Sequence, residues 1–181
     1  MDGVVFRRRG ERFSSRLIRG VAKRCVHGFP QVLLCEPVMD MKPFPTSFWL
    51  VCPHLLPLLG RLESAGGVPE MEAASVGRRK PWEEYHIEHA LLRLSMIRSA
   101  ERAFLRRYKS VIFRALSCRG IGGISTRWRD DDFPGDRTSF VKCLHLQAAS
   151  FLALRRHPMA EWLSARIEEW ECSDALCAHA K

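Results

Sequence analysis

The sequence predicts a single α+β domain, mostly α-helical, with a small N-terminal two-stranded β element packed on about four helices. Three observations carry that expectation. Two short apolar runs near the N-terminus are each bracketed by proline. From residue 55 onward the apolar residues recur at helical spacing. The 181 residues are 46% hydrophobic and 27% charged, which suits one soluble domain with a real core.

The first run, "FPQVLLCEPVM", is a short aliphatic segment between Pro30 and Pro37 and reads as a strand. The second, "PFPTSFWLVCP", offers Phe48, Trp49, Leu50 and Val51 before Pro53 stops it, and "MDMKP" between them is short enough for a hairpin-like connection. Proline cannot donate to a β-ladder, so its presence at the ends of both runs predicts edge strands or a two-stranded element. Two strands alone are marginal and must pack on helices.

The helices follow in order. In "HLLPLLGRLESAGGV", Leu55, Leu58, Leu59 and Leu62 share a face and Gly66-Gly67 end the segment. Pro57 falls in the first turn, where its missing amide costs little. Residues 68–80 read as a polar connection with room for a helical turn. The longest signal is "PWEEYHIEHALLRLSMIRSAERAFLRRYKSVIFRAL", opening at Pro81. Trp82, Tyr85, His89, Leu92, Met96, Ala100, Phe104, Tyr108 and Ile112 step by three or four along one stripe, with arginines filling much of the remainder. As one rod it would reach about 50 Å, too long for a compact domain, which predicts a bend near Ser99. A glycine-rich, charged loop spans 118–139. Helices are then expected over 139–155, with Ser139 as N-cap, and over 158–171, opening at Pro158.

Charge divides the chain further. Residues 1–24 hold eight Lys/Arg against Asp2 and Glu11, which leaves +6 of the total +9. Residues 1–22 therefore read as a basic arm, 23–171 as the globular domain and 172–181 as a tail. Such an arm suits a nucleic-acid or other polyanion partner. No apolar run reaches the roughly 18 residues of a membrane span. "SFWLVCPHLLPLLGRL" comes nearest and is interrupted by Pro53, His54 and Pro57. No apolar segment follows the basic stretch as in a secretory signal, so a cytoplasmic protein is expected. Seven cysteines, an odd count, argue against a complete disulfide framework and point to reduced thiols.

Two blocks of the chain carry a family resemblance. "RCVHGFPQVLL" with "PFPTSFWLVCPHLLPLLGRLESAGGV", and later "VKCLHLQAASFLALRRHPMAEWL", resemble the bacterial domain-of-unknown-function family 501 across roughly residues 23–165. The resemblance implies a bacterial, cytoplasmic protein and brings no activity or cofactor with it.

Three constellations remain for chemistry. Cys25-x-His27, Cys52-x-His54 and Cys143-x-His145 share one spacing, and thiolate with imidazole suits zinc or an iron–sulfur cluster. Within a helix, residues two apart point about 200° apart, so Cys143 and His145 are expected on opposite flanks of the core stripe. In an extended segment they would share a face. The expected metal site is therefore built on Cys25, Cys52 and Cys143 with His145 as a further candidate, and Cys172, Cys177 and His179 are available to supplement it. A second constellation is a thiol-dependent enzyme, with Cys143 near a helix start as nucleophile and His89 or His54 as base. A histidine on an apolar stripe is otherwise a hydrogen-bonded core residue. The third is anion binding by Arg119, Gly122, Gly123, Arg127 and Lys142, though the loop matches no phosphate-binding fingerprint. Asp130, Asp131 and Asp132 form an acidic triplet suited to Mg²⁺ or simply to solvent.

Overall fold

A computed structural model describes residues 14–126 and 141–178, together with the backbone of a two-residue pair of strands, β1 (Arg7–Arg8) and β2 (Glu11–Arg12). The main sheet has three antiparallel strands in the order β3 (Ile18–Arg24), β4 (Pro30–Cys35) and β7 (Phe48–Leu50). The two apolar runs are thus strands, and they pair directly, Leu33 opposite Trp49. The third strand comes from residues that read as basic arm. β3 alternates half-buried Ile18 and Gly20 with exposed arginine, so charge masks its period. β4 is the central strand, with Val32, Leu33 and Cys35 all buried.

Between β4 and β7 a small hairpin joins β5 (Val38–Met39) to β6 (Lys42–Pro43). Its turn residues Asp40 and Met41 have φ of 49° and 59°, the left-handed conformation that two-residue hairpins require.

Seven α-helices follow among the described residues, more than the four expected: α1 (Leu55–Ser64), α2 (Gly67–Ala74), α3 (Arg79–Met96), α4 (Ser99–Tyr108), α5 (Ser110–Ser117), α6 (Leu144–Leu154) and α7 (Ala160–Arg166). α2 occupies the connection that appeared polar, because Met71 supplies a fully buried anchor. Gly66, at φ 90°, makes the turn from α1 into α2. The long helical stretch breaks twice. Ile97 is extended (ψ 132°), close to the expected bend, and Lys109 (φ −133°, ψ 53°) separates α4 from α5.

The main core lies between the sheet and α1, α3, α6 and α7, around Val32, Leu50, Leu59, Trp82, Leu144 and Leu163. A second cluster of Ile97, Leu105 and Leu116 holds α4 and α5 against the end of α3. The stripe read through the whole stretch stops at the first break. Beyond it Leu105 turns inward, while Phe104 and Tyr108 are 46% and 63% exposed. No helix among the described residues is long and apolar enough to cross a membrane.

Candidate metal centre at the head of α6

α6 begins at Leu144, not at residue 139, because Cys143 is extended (φ −160°, ψ 155°) and serves as the N-cap residue. Its thiol makes no cap hydrogen bond. The exposed helix amides are met instead from the last turn of α1, where Oε1 of Glu63 accepts from the amides of Leu144 (2.6 Å) and His145 (3.3 Å). A carboxylate is favoured there twice, as acceptor and as a negative charge at the positive end of the helix.

His145 joins the same oxygen. Its Nδ1 lies 2.9 Å from Glu63 Oε1, and its Nε2 lies 3.2 Å from the Leu56 carbonyl oxygen. Both nitrogens face acceptors, and a neutral ring donates to only one of them. Cys143 projects to the same point. Ligand atoms of Glu63, Cys143 and His145 all lie within 4.8 Å of one another, the one such His/Cys/Asp/Glu group among the described residues. The site is shielded but not sealed, with 11% of the His145 side chain and 25% of that of Glu63 exposed.

The late helix start corrects the expected geometry of Cys143 and His145. They share a face because Cys143 lies in extended backbone, so a spacing of two brings them together. Glu63 gave no sequence signal of its own; it closes "GRLE" at a helix end, 80 residues from Cys143 along the chain.

The remaining candidates lie elsewhere. Cys25 and Cys52 do not join Cys143 in one group. The imidazoles beside them are directed away, His27 Nε2 to the Cys172 carbonyl (2.7 Å) and His54 Nε2 to that of Glu169 (3.0 Å). His89 is 1% exposed on α3, with Nε2 2.7 Å from Ser150 Oγ, and Tyr85 hydrogen-bonds to the same hydroxyl. Burial pushes its pKa down to about 3, with Arg93 adding repulsion, so the ring is neutral. The imidazole next to Cys143 is His145 rather than His89.

The glycine loop turns its amides inward. Ile121 donates to His86 Nδ1 (3.3 Å), and Gly123 and Ile124 donate to Gly120 and Ile121 carbonyls. Lys142 donates to the Gly122 carbonyl (3.3 Å), and Arg119 is exposed. Arg127, the Asp130–Asp132 triplet, Ser139 and His179 lie outside the described residues.

A family model described as "Protein of unknown function (DUF501)" matches residues 21–165. The chain belongs to the DUF501 family. Within the DUF501 match lie Cys25, Cys52, Glu63, Cys143 and His145, and it stops before Cys172 and Cys177. No curated protein and no solved structure gives a significant match.

Proposed function

We propose that this DUF501 protein binds a divalent metal ion, zinc in the first instance, through Cys143 Sγ, His145 Nδ1 and the Glu63 carboxylate. The convergence of those ligand atoms within 4.8 Å of one another carries the reading. Thiolate, imidazole and carboxylate are all zinc donors, and three protein ligands leave a fourth tetrahedral position for water or substrate, as in catalytic zinc sites. The second nitrogen of His145 faces the Leu56 carbonyl at 3.2 Å, the outer hydrogen bond that orients a ligating histidine. One thiol at this point is too few for the usual iron–sulfur cluster, which favours zinc.

The same atoms suit thiol catalysis less well. A general base must reach the thiol, and His145 instead directs one nitrogen to Glu63 and the other to Leu56. Elemental analysis of protein purified without oxygen tests the metal reading. About one equivalent should reside at this site and be lost in Cys143→Ser and in Glu63→Gln, whose amide oxygen can still cap α6. Unchanged metal content in both variants overturns it.

A second reading, polyanion or RNA binding, rests on α4. There the exposed rings of Phe104 and Tyr108, 5.3 Å apart, stand among exposed Arg106, Arg107 and Lys109. Aromatic faces between cations suit stacking on single-stranded RNA. Binding to an oligoribonucleotide should weaken steeply with salt, and fall in Phe104→Ala/Tyr108→Ala and on deletion of residues 1–13, which leaves β3 in place. No affinity at low salt removes this reading.

A further inference from the structure

α4 and α5 meet at the Lys109 break, and a cleft of about 560 Å³ lies where they join. Its walls are Ser99, Arg102, Ala103, Arg106 and Arg107 from α4 and Phe113 from α5. Positions 99, 102, 103, 106 and 107 follow steps of three and four, so they share one face of the helix. Small side chains at Ser99 and Ala103 leave the hollow, and three guanidinium groups line it.

No carboxylate lines this cleft. Glu101, the one acid of α4, faces a different hollow beside Arg19 and Arg98. Residues 98–114 hold Arg98, Arg102, Arg106, Arg107, Lys109 and Arg114 against Glu101 alone. Elsewhere on the surface Arg19 and Arg166 meet Glu36 and Glu70, but Arg102, Arg106 and Arg107 form no ion pair among the described residues. Neutral groups hold two of them instead. Arg102 Nη1 donates to the Leu94 carbonyl at the end of α3 (3.1 Å). Arg107 Nε donates to the Tyr108 hydroxyl (3.1 Å), and its guanidinium lies 5.6 Å from the centre of that ring. Each contact uses part of the fork and leaves the charge uncompensated. Like charges at a spacing of four, as Arg102 and Arg106 stand, weaken a helix. An anion in the cleft removes that repulsion.

Phosphate is the anion this arrangement fits. A guanidinium fork pairs with phosphate oxygens two at a time, and a phosphate has more oxygens to share among three forks than a carboxylate has. Three positive charges exceed the roughly −1.5 to −2 of a single phosphate ester, which favours a diphosphate. Ser99 opens α4, so the cleft also takes in the positive end of the helix. Phe113 packs on the Ile97, Leu105 and Leu116 cluster and gives the cleft an aromatic wall. Such a wall suits a stacked base, and the volume falls within the about 300–1,000 Å³ of small-ligand sites.

We propose that the cleft between α4 and α5 binds a nucleoside diphosphate, its phosphates on Arg102, Arg106 and Arg107 and its base against Phe113. The RNA reading uses the rings of Phe104 and Tyr108, which do not line the cleft, so this site does not rest on it. Nor does it involve the metal centre at the head of α6.

Equilibrium dialysis of the full chain against ADP, GDP, CDP and UDP tests it. At least one should bind saturably, and the matching nucleoside should bind at least about tenfold more weakly. Arg106 is exposed and makes none of the contacts above, so Arg106→Glu should lose at least about tenfold with the fold intact. Arg61→Glu, the same change of charge at an exposed position on α1, should lose less than about twofold. Phe113→Leu keeps an apolar residue in the cluster and should weaken the nucleotide while leaving inorganic pyrophosphate unchanged. Saturable binding of none of the four, equal losses in Arg106→Glu and Arg61→Glu, wild-type nucleotide affinity in Phe113→Leu, or a nucleoside bound as tightly as its diphosphate overturns the proposal. Binding of an oligoribonucleotide without any nucleoside diphosphate sinks this site and leaves the RNA reading standing.

Discussion

Arg93 is fully buried on α3, and its guanidinium donates to backbone carbonyls rather than to an acid: Pro45 (3.2 Å), Gly120 (3.2 Å), Leu116 (3.3 Å) and Arg119. Three of those oxygens lie at or just beyond the C-terminal end of α5, where the helix presents partial negative charge. Burial lowers the Arg93 pKa to about 10, so it remains a cation at neutral pH. Arg93→Met keeps the bulk and leaves those carbonyls without a donor, at about 1–3 kcal/mol for each one left unsatisfied. A loss of at least about 3 kcal/mol in urea unfolding is expected, with Arg93→Lys recovering only part because one ammonium cannot span the fork. Gly120 is fixed by the same region. A Cβ there would lie 2.3 Å from His86 Nδ1, on a side chain packed against Trp82. Gly120→Ala should cost about 1–3 kcal/mol in the same titration, and an unchanged midpoint would show that His86 can move aside.

At the scale of elements, the head of α6 shows what was legible and what was not. The strands at 30–35 and 48–50, α1, and the helical stretch from α3 to α5 follow apolar periods that the sequence displays openly. β3 was hidden because Arg19 and Arg24 occupy two of its exposed positions and Lys23 interrupts its apolar face. α6 starts later than its apolar spacing predicts, because the series Phe140, Leu144, Gln147 begins before the helix does. Spacing reports which residues face the core and not where the backbone first turns helical. Glu63 was invisible for a related reason: its partners are helix amides and a histidine far away in the chain, and nothing local marks them. Those amides allow the cap to be separated from the metal. In chelator-treated protein Glu63→Ala should cost about 1 kcal/mol, as loss of an N-terminal cap does, while Glu63→Gln should cost much less. Equal losses in both would mean that the charge, rather than the acceptor, holds α6 to α1.

Across the whole molecule, α3, α6 and the turn before α7 are joined by one buried polar layer whose charge state sets acid stability. His157 accepts the Met159 amide at Nδ1 (3.0 Å), so its proton sits on Nε2 and is donated to Gln147 Oε1 (2.8 Å). His86 accepts the Ile121 amide at Nδ1, and His89 meets Ser150, so every bond described is made by a neutral ring. Burial, reinforced by Arg93 at His86 and His89 and by a neighbouring histidine at His89 and His157, lowers the three pKa values from 6.5 to about 4, 3 and 3. In the unfolded chain the same groups take up protons below about pH 6.5. The unfolded state therefore binds more protons than the folded one from there down to about pH 4, and stability must fall with pH across that window and be level above it. Each group contributes up to about 1.4 kcal/mol per pH unit, about 4 together. Urea midpoints measured at pH 7.5, 6, 5 and 4.5 should drop progressively across all four, the first drop already visible at pH 6. His157→Gln, which retains a donor for Gln147, should show a shallower slope. A midpoint level down to pH 5 would mean that water reaches these rings, and that the layer joining α3 to α6 opens in solution.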